Sequence, residues 1–225
     1  MLKSTISAGV ILFSAIAANF ANATEFKEGH HYDTYASSTL TSKPTFIEYI
    51  SFFCPACENL NTFQDEIYRA VPKGVIKRRV SVDMIKKTSP AGFLALSKAM
   101  AVSDELYDQI GNSIVDLIFV AIHKEGAIIT PSLVEKLILA VDQKYDANIL
   151  ELYNDDKAAE VAKFTLANQR LVSSRGMLNS VPRIIINGRH VVKFDALDKK
   201  NFFKELHELT KYLVNEDYGH EKANN

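Results

Sequence analysis

Residues 46–57 read FIEYISFFCPAC and contain both cysteines of the 225-residue chain, Cys54 and Cys57. The largely apolar run predicts a strand over residues 45–53, and Pro55 suits the first turn of a following helix because its missing N–H costs nothing there. Two cysteines spaced i, i+3 at a helix start can close as a small disulfide ring and open again. Sulfur at a helix N-terminus is stabilised as thiolate, the species that attacks or leaves in thiol–disulfide exchange. The stretch therefore predicts redox chemistry.

Two other interpretations of the cysteine pair are weaker. A structural disulfide normally closes a long loop, since this constrains the unfolded chain most, whereas a two-residue loop constrains little. Structural zinc takes four ligands, and the chain has no second CxxC motif and no spaced histidine pair. We therefore expect no metal and no bound cofactor, the redox-active group being the Cys54–Cys57 disulfide itself. The six histidines are interpreted as surface or packing residues: His30, His31, His123, His190, His207 and His220.

The N-terminal segment has the three parts of a secretory signal. Lys3 supplies a positive charge, residues 8–18 are apolar, and the small residues Ala21 and Ala23 form an A-x-A cleavage pattern. The apolar part is short of the ~20 residues that a membrane-spanning helix needs. We predict that residues 1–23 are a signal peptide cleaved after Ala23, with an uncleaved membrane anchor as the alternative.

Overall composition gives no sign of a polyanionic partner. The formal net charge is −1, and 47% of the residues are apolar while 24% are charged, which is ordinary for a globular protein. The chain has no basic block or stripe, so we expect no nucleic-acid binding.

The order of predicted elements indicates an α/β protein. Strands are expected at residues 31–36, 45–53 and 75–83, with a helix at 55–70. Residues 90–153 show helical periodicity with breaks near Ser103, Gly126 and Asp146. A helix at 156–175, a hairpin with an Asn187-Gly188 turn and a helix at 198–214 complete the chain. This order predicts a thioredoxin fold with an inserted all-helical domain. The discontinuous thioredoxin-like domain would span residues 24–86 and 155–225, and the insertion residues 87–154.

The chain resembles the DsbA family of periplasmic thiol:disulfide oxidoreductases. The resemblance rests on Glu48, on the run at residues 51–57 and on Val181-Pro182 before the hairpin. It implies a monomeric oxidase in the periplasm that introduces disulfides into unfolded or reduced exported proteins and is reoxidised by a DsbB-like, quinone-linked membrane partner. Many members carry His between the proline and the second cysteine, where this chain has Ala56. We therefore expect an oxidising reduction potential that is less extreme than in His-containing members.

Roles follow for the two thiols and for the proline before the hairpin. Cys54 would be the nucleophile because it is nearer the exposed helix end, and Cys57 the more buried resolving thiol. The resemblance implies a cis peptide between Val181 and Pro182 that faces the cysteines and leaves the Val181 backbone free to pair with a substrate chain; the alternative is an ordinary trans proline that starts an edge strand.

Further residues are expected around the cysteines. Pro55, Ala56 and Phe53 would contact substrate. Glu48 in an apolar strand is costly unless it is paired or protonated; it could relay the Cys57 proton, with Lys77 as the partner that the family implies, or be a solvated edge carboxylate. An apolar surface around Cys54 could also be formed by Phe52, Phe53, Met177 and Leu178, although core packing accounts equally well for Phe52.

Three other functions are compatible with these motifs. A disulfide isomerase or reductase is one, although isomerases of this superfamily carry an N-terminal dimerisation domain and only about 30 residues separate Thr24 from Cys54. A non-catalytic, chaperone-like binding module is another, and it would keep its activity without Cys54. A dedicated oxidase for a single client is the third.

Overall fold

The computed structural model describes residues 25–36, 40–106 and 109–219, so the predicted signal peptide lies outside the described residues. Its five strands are β1 (Tyr32–Thr34), β2 (Thr45–Ile50), β3 (Ile76–Ser81), β4 (Arg183–Ile186) and β5 (His190–Val192). The α-helices are α1 (Pro55–Asn61), α2 (Gln64–Ala70), α3 (Pro90–Leu106), α4 (Gln109–Phe119), α5 (Pro131–Tyr145), α6 (Ile149–Asn154), α7 (Asp156–Ser174) and α8 (Phe202–Tyr218). A π-helical turn, Val120–Lys124, continues α4, and a short 3-10 turn, Phe194–Ala196, follows β5.

The strands form one sheet in the order β1-β5-β4-β2-β3. Strand β2 is interior, parallel to β3 and antiparallel to β4. Side chains alternate between the faces of a strand, so Phe46, Glu48 and Ile50 share one face of β2, and all three are fully buried. Phe46 belongs to the core beneath α2 and α8, whereas Ile50 belongs to the core of the helical layer. Glu48 therefore lies between two apolar cores.

Helix α3 is the centre of the helical layer, because it packs against α4, α5, α6, α7 and strand β3. The predicted break near Ser103 is wrong, since α3 continues to Leu106. Ser103 is instead a contact between helices: its buried hydroxyl donates to the Gly111 carbonyl at 2.8 Å. A Cβ at Gly111 would lie 2.4 Å from the Ser103 carbonyl oxygen, so this close approach requires glycine. The breaks predicted near Gly126 and Asp146 are confirmed.

For three of the predicted boundaries that differ from the structure, a local hydrogen bond ends the element early, interrupts it or shifts its start to a later residue. Strand β2 stops at Ile50, since the Cys54 N–H bonds back to the Ser51 carbonyl at 3.0 Å in a turn. The helix predicted over residues 55–70 is broken where the Thr62 hydroxyl donates to the Asn59 carbonyl at 2.8 Å. The last helix starts only at Phe202, because the Asp198 carboxylate binds the backbone and side chain of the residues just after it.

A buried polar cluster ties the hairpin to the C-terminal helix. The Asp217 carboxylate accepts hydrogen bonds from Asn187 Nδ2 at 2.6 Å and pairs with His190 Nε2 at 2.9 Å and with Arg189 Nη2 at 2.7 Å. The second ring nitrogen of His190 lies 3.0 Å from the Thr34 hydroxyl on β1. Burial lowers the pKa of His190 below its ordinary value, although Asp217 opposes this effect.

We expect His190 to make the protein less stable in mild acid. Its lowered pKa means that the unfolded chain binds this proton more tightly than the folded protein does, so protons favour unfolding. The stabilising contribution is complete above the unfolded pKa of ~6.5 and is lost as the pH falls below it. Urea unfolding of the wild type and of His190→Gln should show a smaller loss of free energy between pH 7.5 and pH 5.5 in the variant; equal losses would contradict this.

Candidate active site

The two cysteines lie where the chain leaves β2 and enters α1. Cys54 is the N-cap residue of this helix, and its carbonyl accepts the N–H groups of Cys57 at 3.0 Å and Glu58 at 3.1 Å. The side of the helix that carries Cys57 faces the helical core, and Cys57 has no exposed surface, whereas Cys54 retains 7%. A reaction partner can therefore reach Cys54 more readily than Cys57.

The segment just before the β4–β5 hairpin contacts Cys54. The Val181–Pro182 peptide is cis, which confirms the predicted isomer. The Cys54 thiol donates to the Val181 carbonyl at 3.5 Å, although 127 positions separate the two residues. Val181 is half-buried and packs against both the helical core and the apolar cluster on the other face of the sheet. The fold thus places the backbone of Val181 directly beside the more exposed sulfur.

Cys57 lies in surroundings that favour its neutral form. Burial is the main reason that its pKa is raised well above the ordinary value, and the nearby Cys54 and Glu48 raise it further. A backbone hydrogen bond at Ser51 acts in the opposite direction. In the reduced protein Cys57 is therefore a protonated thiol, which makes it a poor attacking group.

Glu48 is paired, but not with the residue that the sequence suggested. Its side chain is fully buried and its Oε2 lies 3.4 Å from Arg79 Nε, with both side chains shut off from solvent. Lys77 is opposite Phe46 in the β2–β3 register, not opposite Glu48, and its ammonium lies 5.4 Å from the centre of the Tyr68 ring. The Lys77 partnership is wrong, because the register places Arg79 opposite Glu48. The solvated-edge alternative is also wrong, because β2 is an interior strand.

Arg79 extends this buried pair into the helical layer. Its Nη1 donates to Asn61 Oδ1 at 2.7 Å, and Asn61 Nδ2 donates to Asp116 Oδ1 on α4 at 2.5 Å. The backbone N–H of Arg79 also donates to Asp104 on α3 at 2.9 Å. Sequence reasoning missed Arg79, although an arginine in the strand beside a buried glutamate was the available signal.

The predicted apolar surface around Cys54 is not formed by the residues proposed for it. Phe52, Met177 and Leu178 are buried with 3% of their surface or less exposed, and Phe53 retains only 8%, so all four pack in the core. Pro55 and Ala56 are exposed beside Cys54. The contact of Pro55, Ala56 and Phe53 with substrate remains a prediction.

One histidine of the helical layer lies at the site, contrary to its interpretation as a surface or packing residue. His123 Nε2 is 2.8 Å from the carbonyl oxygen of Phe52, two residues before Cys54. Its Nδ1 is 3.7 Å from a carboxylate oxygen of Glu58, the residue after Cys57. No sequence signal indicated this position, because His123 and the cysteines are far apart in the chain.

Among the described residues, no set of three or more His, Cys, Asp or Glu side chains is grouped as a metal site would require. A search of the same part of the chain for a helix with the length and hydropathy needed to span a membrane finds none.

Curated relatives match nearly the whole chain. The thiol:disulfide interchange protein DsbA of Pectobacterium carotovorum is 26% identical over 209 residues, which cover 90% of this chain and 95% of that protein. DsbA of Yersinia pestis is 24% identical over 212 residues, with 90% and 95% covered. The chain is thus similar over nearly its whole length to thiol:disulfide interchange proteins of the DsbA family. No protein-family model matches the chain.

Solved DsbA structures share the fold. Reduced DsbA1 from Neisseria meningitidis aligns with a TM-score of 0.69 at 19% identity, covering 87% of this chain and 99% of that one. DsbA from Proteus mirabilis aligns with a TM-score of 0.65 at 20% identity, covering 84% and 97%. These neighbours confirm the predicted α/β class and thioredoxin fold.

The charges around the two thiols come from outside the dipeptide that separates them. The dipeptide between the cysteines, Pro55-Ala56, carries no ionisable side chain. Charged or titratable groups come from outside the dipeptide: Glu48 beneath Cys57, Glu58 after it, and His123 from the helical layer. The charges near this cysteine pair are therefore supplied by Glu58, the next residue in the chain, and by the tertiary contacts of Glu48 and His123.

Proposed function

We propose that this protein is a thiol:disulfide oxidase that introduces disulfide bonds into exported proteins through the Cys54–Cys57 pair. The observation that carries the proposal is the asymmetry of the two thiols, one with 7% of its surface exposed beside the Val181 carbonyl and one fully buried with a raised pKa. Its similarity to thiol:disulfide interchange proteins of the DsbA family supports the same activity. The redox-active group is the disulfide itself, and no further cofactor is needed.

The reaction follows from this asymmetry. A substrate thiolate attacks Cys54 Sγ of the oxidised protein, a mixed disulfide forms, and Cys57 leaves and takes up a proton. Because its pKa is raised by burial, Cys57 keeps this proton and does not readily attack the mixed disulfide again. A second substrate thiolate then attacks the substrate sulfur, and Cys54 leaves as thiolate. Two electrons pass from the substrate dithiol to the enzyme disulfide.

Substrate binding is assigned to the backbone beside Cys54. The Val181 carbonyl lies within 3.5 Å of the sulfur that forms the mixed disulfide, so an extended substrate chain could pair with this backbone. Pro182 keeps the segment facing the cysteines, and Pro55, Ala56 and Phe53 complete the contact. A solved Proteus mirabilis DsbA variant holds the cysteine-containing peptide PWATCDS non-covalently. The Glu48 carboxylate is proposed to exchange a proton with the Cys57 thiol.

The cellular setting is part of the same proposal. Residues 1–23 act as a signal peptide, cleavage follows Ala23, and the mature protein works as a monomer in the periplasm on unfolded or reduced exported proteins. A quinone-linked membrane partner of the DsbB type restores the disulfide. Nucleic acid has no part in this scheme, and the low net charge of −1 agrees with that.

The redox equilibrium against glutathione tests the direction of the reaction. On protein lacking residues 1–23, we expect a reduction potential at or above about −160 mV, on a scale where thioredoxin lies near −270 mV and DsbA near −120 mV. The physical reason is that burial holds Cys57 as a neutral thiol, which favours the reduced site, while Cys54 lies at the start of a helix.

A low potential would overturn the oxidase assignment. A value below about −220 mV would mean that the disulfide is too stable to donate, since the protein would then fall among the reductases. Refolding of a scrambled-disulfide substrate is the companion assay, because an isomerase accelerates it whereas an oxidase of reduced chains does not.

A further inference from the structure

The last residue of α4 and the π-helical turn that continues it contact Phe52, two residues before Cys54, through two side chains. Phe119 and His123 are one turn apart, and the Phe119 ring lies 5.2 Å from the Phe52 ring. His123 Nε2 lies 2.8 Å from the Phe52 carbonyl oxygen. The turn is widened, since the Glu125 N–H bonds to the Val120 carbonyl five residues before it at 3.1 Å, and such turns recur at functional sites. Phe52 is thus held by its ring and by its carbonyl.

The hydrogen bond determines which nitrogen of His123 carries a proton. A carbonyl oxygen only accepts, so Nε2 must donate, and Nδ1 is left facing the Glu58 carboxylate at 3.7 Å. A neutral ring would point a lone pair at a negative charge, whereas a second proton turns this repulsion into attraction. The pair is only partly open to solvent, with 15% of the His123 side chain and 27% of the Glu58 side chain exposed. With a second proton on Nδ1, the ring forms an ion pair with Glu58.

A charged His123 would act on the thiols through Glu58. Glu58 directly follows Cys57 in the first turn of α1, so its negative charge opposes a thiolate at the start of this helix, and an adjacent imidazolium offsets that charge. The dipeptide offers no compensating group, because Ala56 has no donor or charge. We infer that His123 is a positioning residue that holds the Phe52 backbone, neutralises Glu58 and so makes the Cys54–Cys57 disulfide a stronger oxidant. The inference rests on the proposed redox function of this pair.

The test compares glutathione redox equilibria at pH 7 for four variants of the mature chain. His123→Gln keeps an N–H donor for Phe52 but removes the charge, and should shift the equilibrium about three- to tenfold towards the disulfide. His123→Lys keeps both donor and charge and should stay within about twofold of wild type. Lys124→Gln removes one positive charge from the next, exposed position of the same turn and should also stay within about twofold. Glu58→Gln should shift the equilibrium the other way, towards the dithiol.

The outcomes separate a charge effect from a packing effect. The inference is overturned if His123→Gln matches Lys124→Gln, or if His123→Lys shifts as far as His123→Gln. If His123→Gln fails to fold, as judged by circular dichroism, the comparison of Glu58→Gln with wild type decides, because both proteins keep His123. A shift of Glu58→Gln towards the disulfide then overturns the inference. The wild-type equilibrium position tests the oxidase function separately, so either conclusion can fail while the other stands.

Discussion

Replacing Cys54 by serine is expected to reduce the oxidation of a reduced protein substrate to the uncatalysed rate. A serine oxygen cannot form the mixed disulfide, and Cys57 cannot take over because it is fully buried and its pKa is raised. The substitution is nearly isosteric, so the fold should persist. The measurement is the rate at which a reduced, unfolded substrate gains disulfides in the presence of oxidised glutathione.

Cys57→Ser is the matched control for that experiment. This variant keeps Cys54 beside the Val181 carbonyl, so it should still react with a disulfide-containing substrate. Without the resolving thiol, the resulting mixed disulfide should persist and be visible as a covalent adduct by mass spectrometry. If Cys54→Ser instead protected unfolded chains and kept the full activity of the wild type, the chaperone-like alternative would replace the oxidase.

Replacing Arg79 by methionine is expected to destabilise the protein by about 3–5 kcal/mol, the usual result of removing one partner from a buried ion pair. The Glu48 carboxylate would remain without exposed surface, 3.4 Å from where the guanidinium had been, between the buried apolar side chains of Phe46 and Ile50 on the same face of β2. Asn61 would also lose the donor that binds its amide oxygen at 2.7 Å. Denaturant unfolding at neutral pH measures the change.

Two further variants show whether this loss comes from the uncompensated charge. Glu48→Met combined with Arg79→Met should recover most of the stability, because a buried pair can often be replaced by apolar residues at little cost. Arg78→Met removes the neighbouring arginine, whose side chain is 56% exposed and pairs with Asp104 at 3.0 Å. It should cost about 1 kcal/mol or less. A cost for Arg79→Met no larger than for Arg78→Met would refute the assignment.

Local sequence patterns were sufficient for the elements that carry the chemistry. The CxxC motif at the end of an apolar strand, the Asn187-Gly188 hairpin and the proline before it each depend on neighbours within a few residues. Their physical basis is local as well, since turn geometry, proline and helix starts are set by backbone sterics and nearby hydrogen bonds. The order of strands and helices followed from them, and the structural neighbours confirm the fold.

The partner of Glu48 could not be found in this way. Lys77 and Arg79 lie two positions apart on β3, on the same face of the strand, so either could have met the carboxylate. The choice depends on the parallel register that places Arg79 opposite Glu48, and no tight turn connects these strands to set it. The burial of Phe53 could not be predicted from the sequence either, because it depends on packing against the helical layer.

The sequence by itself determined that the protein carries a redox-active cysteine pair at a strand–helix junction of a thioredoxin-like chain. Only the tertiary structure decided which groups surround that pair, because Val181, Arg79 and His123 come from segments far from it in the chain. Charges act through space and local motifs act along the backbone. The reacting sulfurs could therefore be identified from twelve residues of sequence. The groups that adjust their reactivity could be identified only from the tertiary structure.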